Sequence, residues 1–199
     1  IQFYGDSVIK EFDQAALNAR SIELLNGLEF QSKTDSQNFP TGFLIVSSGE
    51  SVKLEGATVL GGLIVDSGGD LMATDLNMGD GMTEGSYAFK LNADGDVRLG
   101  KGKSRGAKTL WSRMIDIKGR NIRVDGTGLS SSSGISIVGA NKIEMNGPFG
   151  IVTSVTGAQE VSVKAPEIYF KDDVYIWVNT SKHLDSTGKI NIFGSEILE

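Results

Sequence analysis

The chain has 199 residues, a net charge of −6, 39% hydrophobic residues and no cysteine. It is too apolar for a disordered chain and too acidic for a general nucleic-acid binder. It can hold no disulfide, thiolate metal site or cysteine nucleophile, and no apolar run reaches the length of a membrane span, so neither nucleic acid nor membrane insertion is expected. The start at Ile1, without Met, implies a fragment or a processed product. The 26 glycines against three prolines imply tight turns between short strands.

In chain order, the first segment stands apart. In SVIKEFDQAALNARSIELLNG (7–27) the apolar residues Val8, Ile9, Phe12, Ala15, Ala16, Ala19, Ile22 and Leu25 fall on one helical face. Ser7 suits an N-cap and Gly27 a C-terminal stop. This predicts a short N-terminal helix over the first half of the segment. The second half is open to a pair of strands around Asn26-Gly27, a hairpin dipeptide.

From Leu28 the period is two. GFLIVSS (42–48), SVKLEG (51–56), ATVLGGLIVDS (57–67) and DLMATDLNM (70–78) read as short strands separated by Gly-containing turns. SYAFKLN (86–92) and DVRLG (96–100) flank Ala93-Asp94-Gly95, a hairpin-like turn, and TLWSRMIDIKG (109–119) follows. The last part is the most regular, with apolar pairs Ile122/Val124, Ile135/Ile137, Ile143/Met145, Val161/Val163, Ile168/Phe170, Val174/Ile176 and Ile190/Ile192. One face of each such strand is buried and the other is wet. The predicted fold is mainly β: an elongated, repetitive structure, a triple-stranded or intertwined β-helix or β-prism with a short N-terminal helix. The predicted segments are 1–27 (helical), 28–119 (β-rich, sandwich-like) and 120–199 (β-helical shaft). The connections at 125–134 and 179–188 read as surface insertions.

Two apolar side chains per strand contribute little. Each buried aliphatic side chain is worth roughly 1.5–3 kcal/mol, against about 1–2 kcal/mol of backbone entropy per ordered residue. Such strands become stable when they stack as a solenoid or wrap around a core shared between chains. Self-association is the expectation, with Ile137, Ile143, Val163, Ile168 and Ile176 turned toward the shared axis.

Motifs for catalysis fail on inspection. Gly102-Lys103-Ser104 in LGKGKSRG (99–106) supplies the end of a P-loop, but the first glycine the motif requires is replaced by Val97, and no helix pattern follows. A basic turn is the plainer reading, with Lys101, Lys103, Arg105 and Lys108 open to an anionic surface. Asn92-Ala-Asp94-Gly-Asp96 begins like a calcium loop, but Val97 and Lys103 stand where an EF-hand needs Gly and Glu. Asp75-Leu-Asn77-Met-Gly79-Asp80 fails likewise. His183, the only histidine, sits in a polar stretch and builds no metal site by itself, and Ser130–Ser133 reads as a loop tip. Asp and Glu are numerous enough for chance pairs, and Trp111 and Trp177, far apart in sequence, form no evident sugar-stacking cluster. No catalytic, cofactor or metal residue is therefore assigned.

VSVKAPEIYFKDDVYI (161–176) resembles the repetitive strands of phage tail spikes and fibres. SVKLEGATVLGGLIVDSGGDL (51–71) with SYAFKLNADGDVRLG (86–100) resembles the C-terminal fibre region of tail-tip host-specificity proteins of long-tailed phages. The resemblance spans about residues 42–194 and is one of repeated short units. It implies a homotrimeric, non-enzymatic fibre or tail-tip segment in an extracellular virion. Its implied partners are other tail or baseplate proteins and a bacterial surface receptor, protein or polysaccharide. The alternatives are a single-chain β-solenoid adhesin and a polysaccharide-degrading tailspike.

Overall fold

In the strand Phe43–Ser48, Leu44 and Val46 are fully buried, while Phe43, Ile45 and Ser47 between them are half-covered. This alternation recurs through the molecule, and its inward half builds one core. The computed structural model describes residues 1–3, 6–36, 40–78, 88–101, 109–147, 149–154, 159–171, 174–179, 188–194 and 196–198. They form a parallel β-solenoid. Among the described residues no helix is present, and the only antiparallel pairing is the isolated bridge Thr34–Pro40.

Among the described residues the strands fall on three faces. On the first face the in-register column runs Leu44–Leu63–Phe89–Ile115–Ile135–Val161–Ile190. On the second it runs Ile22–Val52–Leu71–Val97–Ile122–Ile143–Ile168–Ile197. The third face holds a small sheet, Val8–Phe12, Glu29–Ser32 and Thr58–Leu60, which the bridge Thr58–Asn77 extends. Higher up, 109–112, 128–131, Phe149–Ser154 and Val174–Asn179 stack in the same position of the rung. Backbone hydrogen bonds therefore run from rung to rung along the axis, about 4.8 Å per step.

The corner between the second and third faces has a backbone rule. The stacked residues Gly56, Asp75, Lys101 and Gly126 there all have positive φ, at 67°, 51°, 55° and 57°. Each amide donates to the next rung: Gly56 to Thr74, Asp75 to Gly100, Lys101 to Asp125, Gly126 to Asn146. The left-handed bend turns the chain by one residue while keeping that bond. This explains the recurrence of Glu55-Gly56 and Asp125-Gly126 at one place in the rung. Lys101 of LGKGKSRG is such a corner residue, so the strand Val97–Gly100 leads into a bend. Gly102–Lys108 lie outside the described residues.

Several expectations are corrected. The segment 7–27 is not helical but forms the strands Val8–Phe12, Gln14–Ala19 and Ile22–Leu24. Ala15, Leu17, Ala19, Ile22 and Leu24 point inward, but the corner at Arg20–Ser21 resets the period. That reset turns a period of two into an apparent spacing of three to four. The residues around Asn26-Gly27 and Ala93-Asp94-Gly95 join strands of adjacent faces and form no hairpins; Ala88–Ala93 and Val97–Gly100 each pair with parallel neighbours. Ser130–Ser133 is no loop tip, and 125–134 no surface insertion. Gly128–Asn146 is one strand with Ser130 and Ser131 buried, and the Ser131 hydroxyl donates to the Arg113 carbonyl at 2.5 Å while accepting from the Ser133 and Gly134 amides. Most of the connection at 179–188 lies outside the described residues. The strand Thr109–Asp125 crosses the 119/120 boundary, and the pairing continues on both sides of it.

The premise of a shared core is also corrected. Ile137, Ile143, Val163 and Ile168 are each 0% exposed within a single chain. One chain closes its own core, because each rung lies on the apolar face of the one before.

Two predictions follow from this geometry. At Gly126 and Gly49 an added Cβ meets nothing within 4 Å, and only Gly126 has positive φ. Gly126→Ala is expected to cost about 1–2 kcal/mol in urea unfolding, whereas Gly49→Ala stays within about 0.5 kcal/mol of wild type; equal losses would remove the corner rule. Ile168→Asp places a carboxylate in the filled core and is expected to lower the unfolding free energy of the chain, read by urea, by several kcal/mol, on the order of an unpaired buried charge. An unchanged midpoint would put Ile168 outside the core.

Candidate functional site

The outward positions of the first face are set by the inward ones. With Ile115 and Ile117 buried, Met114, Asp116 and Lys118 face out; the next rungs present Gly134, Ser136 and Val138, then Glu160, Ser162 and Lys164. Parallel register aligns them in columns. One runs Lys90–Asp116–Ser136–Ser162–Asn191, and beside it runs Met114–Gly134–Glu160–Lys189. Between these columns lies an open groove of about 430 Å³, lined by Met114, Asp116, Lys118, Gly134, Ser136, Glu160 and Ser162 among others.

Its walls are chemically mixed. Lys118 Nζ stands 2.9 Å from Asp116 Oδ2. Asp116 Oδ1 is the one buried side-chain oxygen or nitrogen without a hydrogen-bond partner among the described residues. Asn191 Nδ2 donates to Glu160 Oε1 at 2.6 Å. Met114 is 41% exposed at the groove edge. Gly134 leaves the floor flat between Met114 and Glu160, since a Cβ there would stand 3.1 Å from the Glu160 carbonyl oxygen. The groove offers carboxylates, hydroxyls, one ammonium and an apolar edge, with no enclosed chamber that would exclude water from a reaction.

The second face carries a different surface, a charged network. Arg123 Nε lies 2.8 Å from Asp125 Oδ2, and Arg98 Nε lies 3.6 Å from the same oxygen. Glu144 is contacted by Lys142 at 2.9 Å, Lys171 at 3.0 Å and Arg123 at 3.5 Å. Hydrogen bonds from Lys142 and Lys171 hold the Glu144 carboxyl at about 2, well below its ordinary 4.5. Burial pushes the Asp125 carboxyl up, but bonds from Arg123 and Asn146 outweigh it and leave the group below its usual value. Lys142 also lies over the Tyr169 ring, 4.3 Å from its centre. The pairs Arg98–Asp125, Arg123–Glu144 and Lys171–Glu144 cross from rung to rung, so this network stitches neighbouring rungs together.

The residues considered from sequence fall as follows. Asp94 and Asn92 line a second polar groove of about 420 Å³ with Asp66 and Ser47. Asn92 donates to Asp66, Asp96 accepts from Asn121, and Asp70 accepts from the Asp96 amide. The acidic loop is thus taken up in corner bonds. No group of three or more His, Cys, Asp or Glu able to hold a metal occurs among the described residues. Asp75 is a left-handed corner residue, while Gly79, Asp80 and His183 lie outside the described residues. Trp111 and Trp177 share one backbone column, Trp111–Ser130–Val152–Trp177, on the third face. The placing of Asp116 and Glu160 on one groove escaped sequence reasoning, because it depends on register between distant rungs. The chain matches no family model, no curated protein and no solved structure.

Replacing Glu144 by Gln is expected to cost about 2–3 kcal/mol at neutral pH. A carboxyl whose folded pKa is depressed stabilises the fold above the unfolded value of 4.5, and this contribution is lost as pH falls toward 2. The gap between wild type and Glu144→Gln, read by urea unfolding, should therefore be full above pH 4.5 and close toward pH 2. A gap independent of pH would remove the ionic role.

Proposed function

We propose that this chain is a structural and adhesive segment of an extracellular fibre of the phage-tail kind, a stiff shaft that supports attachment to a bacterial surface and performs no catalysis. The observation that carries the reading is the parallel ladder that continues from rung to rung over one filled aliphatic core. Its backbone hydrogen bonds lie along the axis, so a pull on the shaft is shared among rows of bonds on three faces. The sequence resemblance to tail fibres and tail-tip proteins points the same way.

In the fibre, three copies associate as complete solenoids side by side. Each core is already closed, so the contacts come from outward residues. The half-covered Phe43, Ile45 and Ile64 on the lower first face suit such a lateral contact. The other partners are tail or baseplate proteins at the ends of the shaft and a receptor on the host surface.

Light scattering on a sizing column tests the assembly, and binding of the labelled chain to bacterial cells tests the adhesive role. The single chain is 21.2 kDa. Three times that mass, eluting early as an elongated particle, together with saturable cell binding, is the expected result. A monomeric mass overturns the trimer, and a chain that binds no cells of a broad bacterial panel overturns attachment.

A further inference from the structure

The groove on the upper first face has features that the shaft does not require. A solenoid is stabilised by its inward columns, and outward positions are free to be long, charged and mutually paired, as they are on the second face. Here Lys118 pairs with Asp116 and Asn191 with Glu160, but the residues between them are small. Ser136 and Ser162 follow Asp116 in one straight column, and Gly134 interrupts the other. Asp116 keeps a desolvated oxygen without a partner. Leaving such an acceptor unmet is costly.

The geometry points to a binding site for a neutral, extended polysaccharide lying along the solenoid axis, and we propose that this groove is the chain's glycan-contact surface. This rests on the adhesive reading above and names the ligand class of the receptor. Four observations select that class. Carboxylates accept from pairs of hydroxyls, serine hydroxyls both donate and accept, and Lys118 donates, which together satisfy a polyol. Met114, 41% exposed beside the flat floor at Gly134, offers an apolar edge to the carbon face of a sugar ring. The column Asp116–Ser136–Ser162 offers one polar group per rung, about 4.8 Å apart, so an extended polymer meets a polar group at each of the three rungs. The groove is also open lengthwise and shallow, which suits a chain in passing.

Competing ligands fit less well. Nucleic acid and other polyanions meet Asp116 and Glu160 in a chain of net charge −6. A divalent cation meets one carboxylate already paired with Lys118 and the other already bonded to Asn191. An extended peptide finds side chains but no open strand edge in the groove, since the strands beneath it are paired on both sides.

The test uses the whole chain against neutral hexose oligosaccharides of increasing length, with polygalacturonate as the charged comparison, followed by calorimetry or NMR titration. The variants are Asp116→Ala and Ser136→Phe, which remove and block the groove's central column, and Lys53→Ala on the second face as a control. Urea midpoints are measured for all of them, so that loss of fold is recognised. The expected result is binding that strengthens with oligosaccharide length and weakens about tenfold or more in folded Asp116→Ala and Ser136→Phe but not in Lys53→Ala. Binding to polygalacturonate alone, no binding by any neutral oligosaccharide, or undiminished binding by both groove variants overturns the proposal. If Ser136→Phe does not fold, Asp116→Ala alone decides. Cell binding separates the two levels: cells bound equally by wild type and both groove variants sink the groove and leave the adhesive shaft standing, whereas absence of any cell binding sinks the adhesive reading itself.

Discussion

The structure depends on the stacking of each rung's inward side chains on the rung before. A strand such as Ile135–Ile137 or Ile143–Met145 brings only two apolar residues to the interior. Alone, those would not offset the entropy of ordering the strand. Stacked in register, they gain apolar neighbours above and below as well as across the interior, and all four become 0–2% exposed. The same sequence regularity that suggests a core shared among chains is satisfied within one chain, because consecutive rungs of a solenoid are to each other what separate chains are in an intertwined fibre.

Stacking makes a demand on the exterior as well. In a parallel, in-register ladder, residues at the same place in each rung are neighbours, so an acidic chain tends to pile carboxylate on carboxylate, which is destabilising. Here asparagines intervene. Asn92 donates to Asp66, Asn121 to Asp96, Asn146 to Asp125 and Asn191 to Glu160, each reaching a carboxylate of the preceding rung. On the second face the neighbouring Arg98 and Arg123 are reconciled by Asp125, which contacts both. The outer surface is thus partly dictated by the fold, and polar residues on it are not by themselves signs of function.

What was legible in the sequence follows from this. The inward pairs from Ile122 onward could be read directly, since alternation there is long and clean between corners. The segment 7–27 could not, because three short strands with a corner at Arg20–Ser21 imitate helical spacing, and Ala15, Ala16 and Ala19 carry high helix propensity. Positive φ at Lys101 was hidden too, since a lysine does not advertise a left-handed bend as glycine does. Hairpin readings failed for a related reason: a Gly-containing turn reports that the chain bends, not which strand its neighbour will pair with. The groove was the least legible. Asp116 and Glu160 line one groove only because Met114 pairs with Gly134 and Gly134 with Glu160, and the lengths of the intervening segments that set this register have no local signature.

The contrast between two outer faces of one solenoid is therefore more informative than either face alone. Both are built on the same inward columns and obey the same stacking rule. The second face resolves it with long side chains whose charges close on one another, and Glu144, only 12% exposed, is the centre of that closure. The upper first face closes only in part: Lys118 holds Asp116 and Asn191 holds Glu160, while Gly134, Ser136 and Ser162 leave the middle open and an oxygen of Asp116 has no partner. A surface that could complete its own bonds at little cost, and instead keeps a continuous polar trough across several rungs, is better suited to contact with another molecule than to holding the shaft together.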